Sequence, residues 1–496
     1  MLDRKPILRS FLKKREIVRQ HIDSYNDFIV NRLQQIVDEN KIIVTDVGVD
    51  VELGEIRVEP AEVIEADGSH NKITPNEARL RNLSYFSPVH LKMKLNRSDR
   101  KGDFEEVKIG MIPTMIKSNI CNLYSKNTED LLDIGEDPLD PGGYFIVNGS
   151  ERVLVTIEDL APNKIMLEKN ERSSKVTEVA KVFSKRGGFR ALVNVHRDKD
   201  ALIGVSFPSI PGDIPIIVLM YALGMGSHQE IINTITDDPL LMDDILINIE
   251  EFSHVTDTEK AMEFIGKKVA PGQTKEYRLK RAEDALNRYL LPHIGVTEED
   301  RLKKAHYLGR MVVRILELSA GTREVDDKDH YANKRLALAG DLMEDLFRVA
   351  FYNLLRDVKY QLERAVVRGK EPFVKTAVRS DVLTERIRHA LATGNWVGGR
   401  AGVSQLLDRT NYLSVVSHLR RVVSPLSRSQ PHFEARDLHP TQFGRICPSE
   451  TPEGPNCGLV KNLALVCEFS TGLPEDELEK QLESYGIKKI EKAGGT

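Results

Sequence analysis

Apolar residues recur at helical spacing between positions 11 and 40, at Ile17, Ile22, Tyr25, Ile29, Leu33 and Ile36, which predicts an amphipathic helix there. The period then changes. Residues 42–58 alternate in short pieces around Gly48 and Gly54, and residues 85–95 do the same, so both read as strands. Within residues 142–155, two apolar runs flank Asn148-Gly149. That dipeptide suits a two-residue hairpin turn, because both central residues must take positive φ.

The texture shifts between about 160 and 335. Short strands at 191–195 and 203–207 lead into a helical run at 216–224 and an acidic helical region at 229–263, which reads as a separate inserted domain. Leu302, Ala305, Leu308, Val312, Ile315 and Leu316 mark an amphipathic helix ending near Gly321. A second long helix runs from about Leu336 to Val367, with Leu342, Leu346, Ala350, Leu354, Val358 and Leu362 on its inner side. No internal repeat or low-complexity segment is present.

A length of 496 residues suggests about three domains, and a hydrophobic content of 41% is ample for packed cores. The net charge of -4 excludes a uniformly basic nucleic-acid coat, so any basic surface is local. Cys121, Cys447, Cys457 and Cys467 are too few for a disulfide scaffold, and their spacing matches no CxxC zinc pattern. No apolar run approaches the ~20 residues of a membrane span. The charged N-terminus (Arg4, Lys5, Arg9, Lys13, Lys14, Arg15) has no apolar stretch behind it to form a signal peptide. The chain therefore reads as cytoplasmic, without a membrane partner.

One local basic region exists. Residues 376–445 hold ten arginines and no lysine against five acids, a surplus of five positive charges. Arginine is preferred where a planar, bidentate donor meets phosphate or carboxylate. The block suits a groove that tracks a nucleic-acid backbone, or else a set of internal ion pairs. It runs into residues 436–463, which pack four prolines and three glycines among charged side chains. Fixed φ at Pro and positive φ at Gly exclude a regular helix or strand, so this is a loop built to hold one shape.

Sets for catalysis are missing. Asp326-Asp327-Lys328-Asp329-His330 is the densest acid cluster near another signal; it could bind a metal or form a solvated acidic turn. There is no Walker A loop, and Gly224-Met225-Gly226 is only a fragment of a phosphate-binding pattern. No Ser/His/Asp or Cys/His set can be placed.

The Pro/Gly-rich run resembles the second-largest subunit of the multisubunit DNA-directed RNA polymerases. The resemblance runs through Asp437-Leu438-His439-Pro440, Gly444-Arg445-Ile446-Cys447-Pro448 and Glu450-Thr451-Pro452-Glu453-Gly454-Pro455-Asn456. Residues 143–155, 326–336, 390–396 and 400–405 resemble further stretches of the family in the right order. The resemblance implies an α+β multidomain fold with the family's protrusion, lobe and fork. It would place the first part of the protrusion at 1–155, the lobe at 156–335, the second part of the protrusion at 336–378 and the fork at 379–462. An external domain would begin at 463–496. It also implies the N-terminal half of a split archaeal B subunit, with truncation of a longer chain as the alternative.

The implied activity belongs to the assembled enzyme, which transcribes DNA into RNA from NTPs. Mg²⁺ would be held by the largest subunit, and this chain would bind no cofactor and be inactive alone. Implied partners are the C-terminal half of the split subunit, the largest subunit, other polymerase subunits, template DNA and nascent RNA. Implied nucleic-acid-facing residues of the fork are Arg400, Gln405, Asp408, Arg409, His418, Arg420, Arg421, Arg428, Arg436 and Arg445. Glu450, Thr451, Pro452, Glu453, Gly454 and Asn456 would form a motif near the active centre. Gln405, Asp408, His418 and Arg421 also match the bacterial rifamycin-binding stretch, where Val423 replaces a serine. Two other readings stand beside this one. A free-standing nucleic-acid-binding module would bind DNA or RNA alone. A self-contained nucleotidyl transferase would turn over with Mg²⁺ alone, against which the lack of a carboxylate triad argues.

Overall fold

The computed structural model describes residues 4–7, 10, 17–65, 67–97, 100–169, 176–470 and 475–487. Positions 11–16 of the expected first helix lie outside them. The described part runs as helix α1 (Arg19–Asp27), one π-turn (Phe28–Arg32) and helix α2 (Leu33–Glu39). Ile22, Tyr25, Leu33 and Ile36 face inward as the spacing predicts. Strands β1 (Ile42–Ile43), β2 (Val49–Val58), β5 (Phe86–Arg97) and β6 (Arg100–Pro113) form an antiparallel sheet, with the small hairpin β3 (Glu62–Ile64) and β4 (His70–Lys72) beside it. Register shifts in β2 between Leu53 and Ile56, around Gly54. The predicted hairpin is β7 (Phe145–Val147) and β8 (Ser150–Leu154). Its turn residues Asn148 and Gly149 have φ of 49° and 73°, and a Cβ on Gly149 would lie 2.6 Å from Asn82 Oδ1. Both the positive φ and the close approach require glycine there.

The chain then leaves through β9 (Thr156–Leu160) into a second unit. Strands β10 (Ile165–Lys169), β11 (Val176–Arg186), β12 (Phe189–Asp198), β13 (Ile203–Ser206) and β14 (Ile214–Pro215) make a sequential antiparallel sheet. Helices α3 (Ile216–Ala222), α4 (His228–Ile235), α5 (Met242–Glu251), α6 (Thr258–Val269), α7 (Lys275–Asp284) and α8 (Arg301–Ser319) follow. These elements enclose their own apolar core, which runs from Ile165 to Leu318 and is distinct from the core built by the rest of the chain. In α8 the stripe from Ala305 to Leu316 is buried as predicted, but Leu302 is 46% exposed. Lys304 takes the buried place on that first turn, donating to the carbonyls of Leu286 and Asn287 at 2.8 and 2.7 Å. Burial lowers its pKa to about 8.

The return strand β15 (Lys334–Ala337) lies antiparallel to β9, so exit and re-entry are neighbours. The long helix therefore begins later than its apolar pattern suggests: α9 spans Ala339–Val367, because Leu336 is claimed by the strand. Its predicted stripe from Leu342 to Leu362 is buried. Helix α10 (Ser380–Thr393) follows, and β16 (Ser404–Leu406) extends the β7–β8 hairpin. Helix α11 (Tyr412–Leu419) leads to β17 (Arg421–Val423), which runs parallel to β9 and antiparallel to β18 (Val460–Asn462). The resulting β15-β9-β17-β18 sheet joins the unit's entry point to the Pro/Gly-rich run. The fold is thus mixed α and β with several separate sheets. No described helix is long and apolar enough to cross a membrane.

Candidate nucleic-acid interface

Gln405, Asp408, His418 and Arg421 come together at the junction of β16, α11 and β17. The approach is set by local caps. The Asp408 carboxylate accepts from the Thr410 N–H at 3.0 Å and its hydroxyl at 2.7 Å, and Asn411 Oδ1 accepts the Ser414 N–H at 2.9 Å to start α11. These bonds hold the Asp408 carboxyl below its ordinary range. Two turns later His418 points inward. Its Nδ1 accepts the Asp408 N–H at 3.1 Å and its Nε2 donates to Gln405 Oε1 at 3.1 Å, which requires the neutral imidazole with the proton on Nε2. Burial, with the nearby Arg421 charge, lowers its pKa to about 4.

This has a pH consequence. The unfolded imidazole takes its proton near 6.5 while the folded one resists to about 4. The stabilisation is therefore complete above pH 6.5 and drains away as pH falls from 6.5 to 4. Amide hydrogen exchange across residues 405–420 is expected to quicken over that window once corrected for intrinsic rates. Buried His21, whose pKa is also lowered to about 4 and whose Nε2 lies 2.8 Å from the Leu419 carbonyl, shares that window. A His418→Gln variant should therefore lose the part of the response at residues 405–411; an equal response there in both proteins would refute the assignment.

The arginine block divides once the partners are seen. Arg409 donates to Glu151 at 2.6 and 2.8 Å and to Asp140 at 2.8 Å, and lies over the Tyr144 ring. Arg400 pairs with Asp159 at 3.2 Å and Arg379 with Asp357 at 2.5 Å. Arg388 pairs with Glu385 at 2.5 Å. Arg420 is buried and donates to the carbonyls of Ile17 and Ala464. Arg436 reaches the carbonyls of Pro431, Pro455 and Cys457 at 2.6, 2.8 and 2.8 Å, and Arg445 that of Thr441 at 3.0 Å. These side chains hold the protein together. Of the ten candidate residues, Arg421 and Arg428 are the arginines whose guanidinium groups have no hydrogen bond or ion pair among the described residues. Arg421 is half-buried beside His418 and Arg428 is exposed.

The Pro/Gly-rich run is fixed from within. Thr451 Oγ1 accepts the Gly458 N–H at 2.9 Å and donates to the Val460 carbonyl at 2.9 Å, closing the turn that carries Pro452, Glu453 and Gly454. Gly454 and Gly458 have φ of 77° and 72°, and a Cβ on Gly458 would lie 2.4 Å from the Arg436 carbonyl. Glu450 accepts from the Ser417 hydroxyl at 2.6 Å, tying the motif to α11. Asn456 keeps a buried Oδ1 without a hydrogen-bond partner among the described residues. The exposed faces of Pro452 and Glu453 are thereby held in one conformation.

Comparison with known proteins places this geometry. The RNA polymerase beta subunit family matches residues 16–385, and RNA polymerase Rpb2, domain 3, matches residues 405–469. The chain belongs to the RNA polymerase second-largest-subunit family. It is 54% identical to the DNA-directed RNA polymerase subunit Rpo2N of Methanococcus vannielii, covering 98% of this chain and 100% of that protein. It is 55% identical to Rpo2N of Methanocaldococcus jannaschii, covering 97% and 98%. Against the Rpo2 subunit of Saccharolobus solfataricus it is 51% identical over 98% of this chain but 43% of that protein.

For this polymerase subunit family member, one group escaped the sequence reading. Glu158 in β9 is buried and accepts from Lys334 at 2.8 Å, Tyr331 at 2.7 Å and Lys461 at 3.2 Å. Burial opposes its charge, but Lys461 and Lys334 outweigh burial and hold the carboxyl below its ordinary range. The Asp326–His330 cluster belongs to the same joint. Asp326 accepts the Leu167 N–H at 2.9 Å, Asp327 meets His439 Nε2 at 2.8 Å and Asp329 meets Lys334 at 3.0 Å. No group of three or more metal-ligating side chains is found among the described residues. Gly226 donates its N–H to Glu230 at 2.7 Å.

Proposed function

We propose that this chain supplies the part of a DNA-directed RNA polymerase's second-largest subunit that positions DNA and the RNA–DNA hybrid near the active centre. The observation that carries this reading is similarity to Rpo2N proteins over almost the whole chain. Residues 1–155 and 336–378 would form the protrusion, 156–335 the lobe, 379–462 the fork, and 463–496 the start of an external domain. The separate core of Ile165–Leu318, entered and left through neighbouring strands, supports treating the lobe as an insertion. The longer Rpo2 relative supports a partner chain carrying the rest of the subunit.

In this arrangement the fork acts by positioning and charge rather than by bond chemistry. The assembled complex would extend RNA from NTPs using Mg²⁺ held by the largest subunit. The locked Gln405–His418–Asp408 group would fix the backbone that presents Arg421. That guanidinium, with Arg428, would be free to meet phosphate, and the Pro452–Glu453 turn would face the active centre.

Tagging the chain in its native cell tests the assembly. The largest subunit and a chain carrying the remaining part of the second subunit should co-purify in equal amounts. A lone monomer would overturn the reading. Arg421→Ala should weaken elongation complexes and lower the slope of log affinity against log salt by about one. An unchanged slope would remove Arg421 from the phosphate contacts.

A further inference from the structure

Helix α5 is fastened to the second core along one side only. Ile245 is buried, and the fully buried Asn248 accepts the Ile203 N–H at 2.8 Å while donating to the carbonyls of Ala201 and Asp244 at 2.8 and 2.7 Å. Asp244 pairs with Arg197 at 2.7 Å. The helix is therefore a fixed platform. Its opposite side carries Leu246 and Ile247, 51% and 43% exposed, with Leu240, 83% exposed, in the turn before it. Asp243, Leu246, Ile247 and Glu250 follow the three-and-four spacing of a single helix face.

Carboxylates ring that apolar face. Asp237, Asp238, Asp243, Glu250 and Glu251 are exposed, and none forms an ion pair among the described residues. Residues 229–263 contain ten acids and one lysine, in a chain whose net charge is only -4. A merely solvated face explains the acids but not the three apolar side chains grouped between them. The charge also selects the occupant. Nucleic acid and anionic lipid would be repelled, and a two-fold pairing of this face with itself would set carboxylate against carboxylate.

We propose that the outer face of α5 is a docking surface for a basic, amphipathic segment of another polypeptide. Leucine-sized side chains of that segment would cover Leu240, Leu246 and Ile247, and lysines or arginines would meet the surrounding carboxylates. The apolar contact would carry most of the affinity, and the charges would set partner choice and association rate.

Two measurements test this, the first on the purified chain, independently of polymerase assembly, and the second in the native complex. The probe in the first is a fluorescent helical peptide with leucines on one face flanked by lysines. It should bind the chain and weaken steeply with salt. Asp243→Lys with Glu250→Lys, and separately Leu246→Glu, should each reduce binding at least about tenfold while leaving the thermal transition in place. Equal binding to wild type and variants, or equal binding of a glutamate-flanked peptide, overturns the proposal. In the second, a benzophenone amino acid at position 246 is irradiated in the native complex. Attachment to a Lys/Arg-rich apolar segment of another chain, lost in the charge-reversed variant, supports docking. Attachment to nucleic acid, to a second copy, or to nothing beyond a control with the same amino acid in place of the exposed Lys280 of α7 overturns it.

Discussion

Replacing Glu158 by glutamine is expected to destabilise the joint between β9, β15 and β18 by about 3–5 kcal/mol, the range for leaving a buried charge without its partner. The carboxylate meets two ammonium groups, Lys334 at 2.8 Å and Lys461 at 3.2 Å, and all three side chains are shielded from water. Lys334 retains Asp329 at 3.0 Å, whereas Lys461 has no other carboxylate contact among the described residues. Hydrogen exchange is the appropriate readout, because a chain with separate cores need not unfold in one step. Amides of residues 334–337 and 460–462 should exchange much faster, while those of α8 stay protected. Adding Lys461→Met should restore part of the loss, since an apolar side chain can replace a buried charge. Unchanged exchange in Glu158→Gln would show that the network contributes little.

Gly340→Ala is expected to destabilise the packing of α9 on α1 by about 3 kcal/mol, the upper end for overpacking. Helix propensity alone predicts the opposite sign, since alanine is favoured over glycine inside a helix by about 1 kcal/mol. The decisive quantity is the space. A Cβ on Gly340 would lie 2.0 Å from the Ser24 carbonyl oxygen and 2.6 Å from its Oγ. Because backbone blocks the way, the helices must separate. The substitution would also strain the bond that the Gly340 N–H makes to Ser24 Oγ at 3.0 Å. Limited proteolysis near α1 and the thermal transition should both report the change. Ser24→Ala should not rescue it, because the carbonyl remains; full rescue would mean that the hydroxyl alone makes the clash.

How much of this was legible depended on the range of each interaction. The Asn148-Gly149 hairpin and the stripes of α1, α8 and α9 rest on local geometry, so their pattern is written in consecutive residues. The boundaries were less legible. Leu336 fits the helical period, yet pairing with β9 takes it into a strand. The arginine block shows the limit most clearly. Counted locally it has five acids, but Arg400, Arg409 and Arg379 find theirs at Asp159, at Asp140 and Glu151, and at Asp357, all outside the block. The same arginines would read as a continuous phosphate-binding surface if charge alone were counted.

By itself the sequence determined the family, through the motifs from Asp437 to Asn456, and the local elements whose apolar period or turn residues specify them. Those signals are carried by neighbours in the chain. Only the tertiary structure decided which charges are spent internally. Glu158 meets Lys334 and Lys461 across separations of 176 and 303 residues, Arg420 turns into the protein, and Arg421 keeps a guanidinium without a hydrogen bond or ion pair among the described residues. A charge has no direction or partner in a sequence. Folding supplies both, and so separates an arginine paired within the protein from one whose guanidinium has no hydrogen bond or ion pair among the described residues.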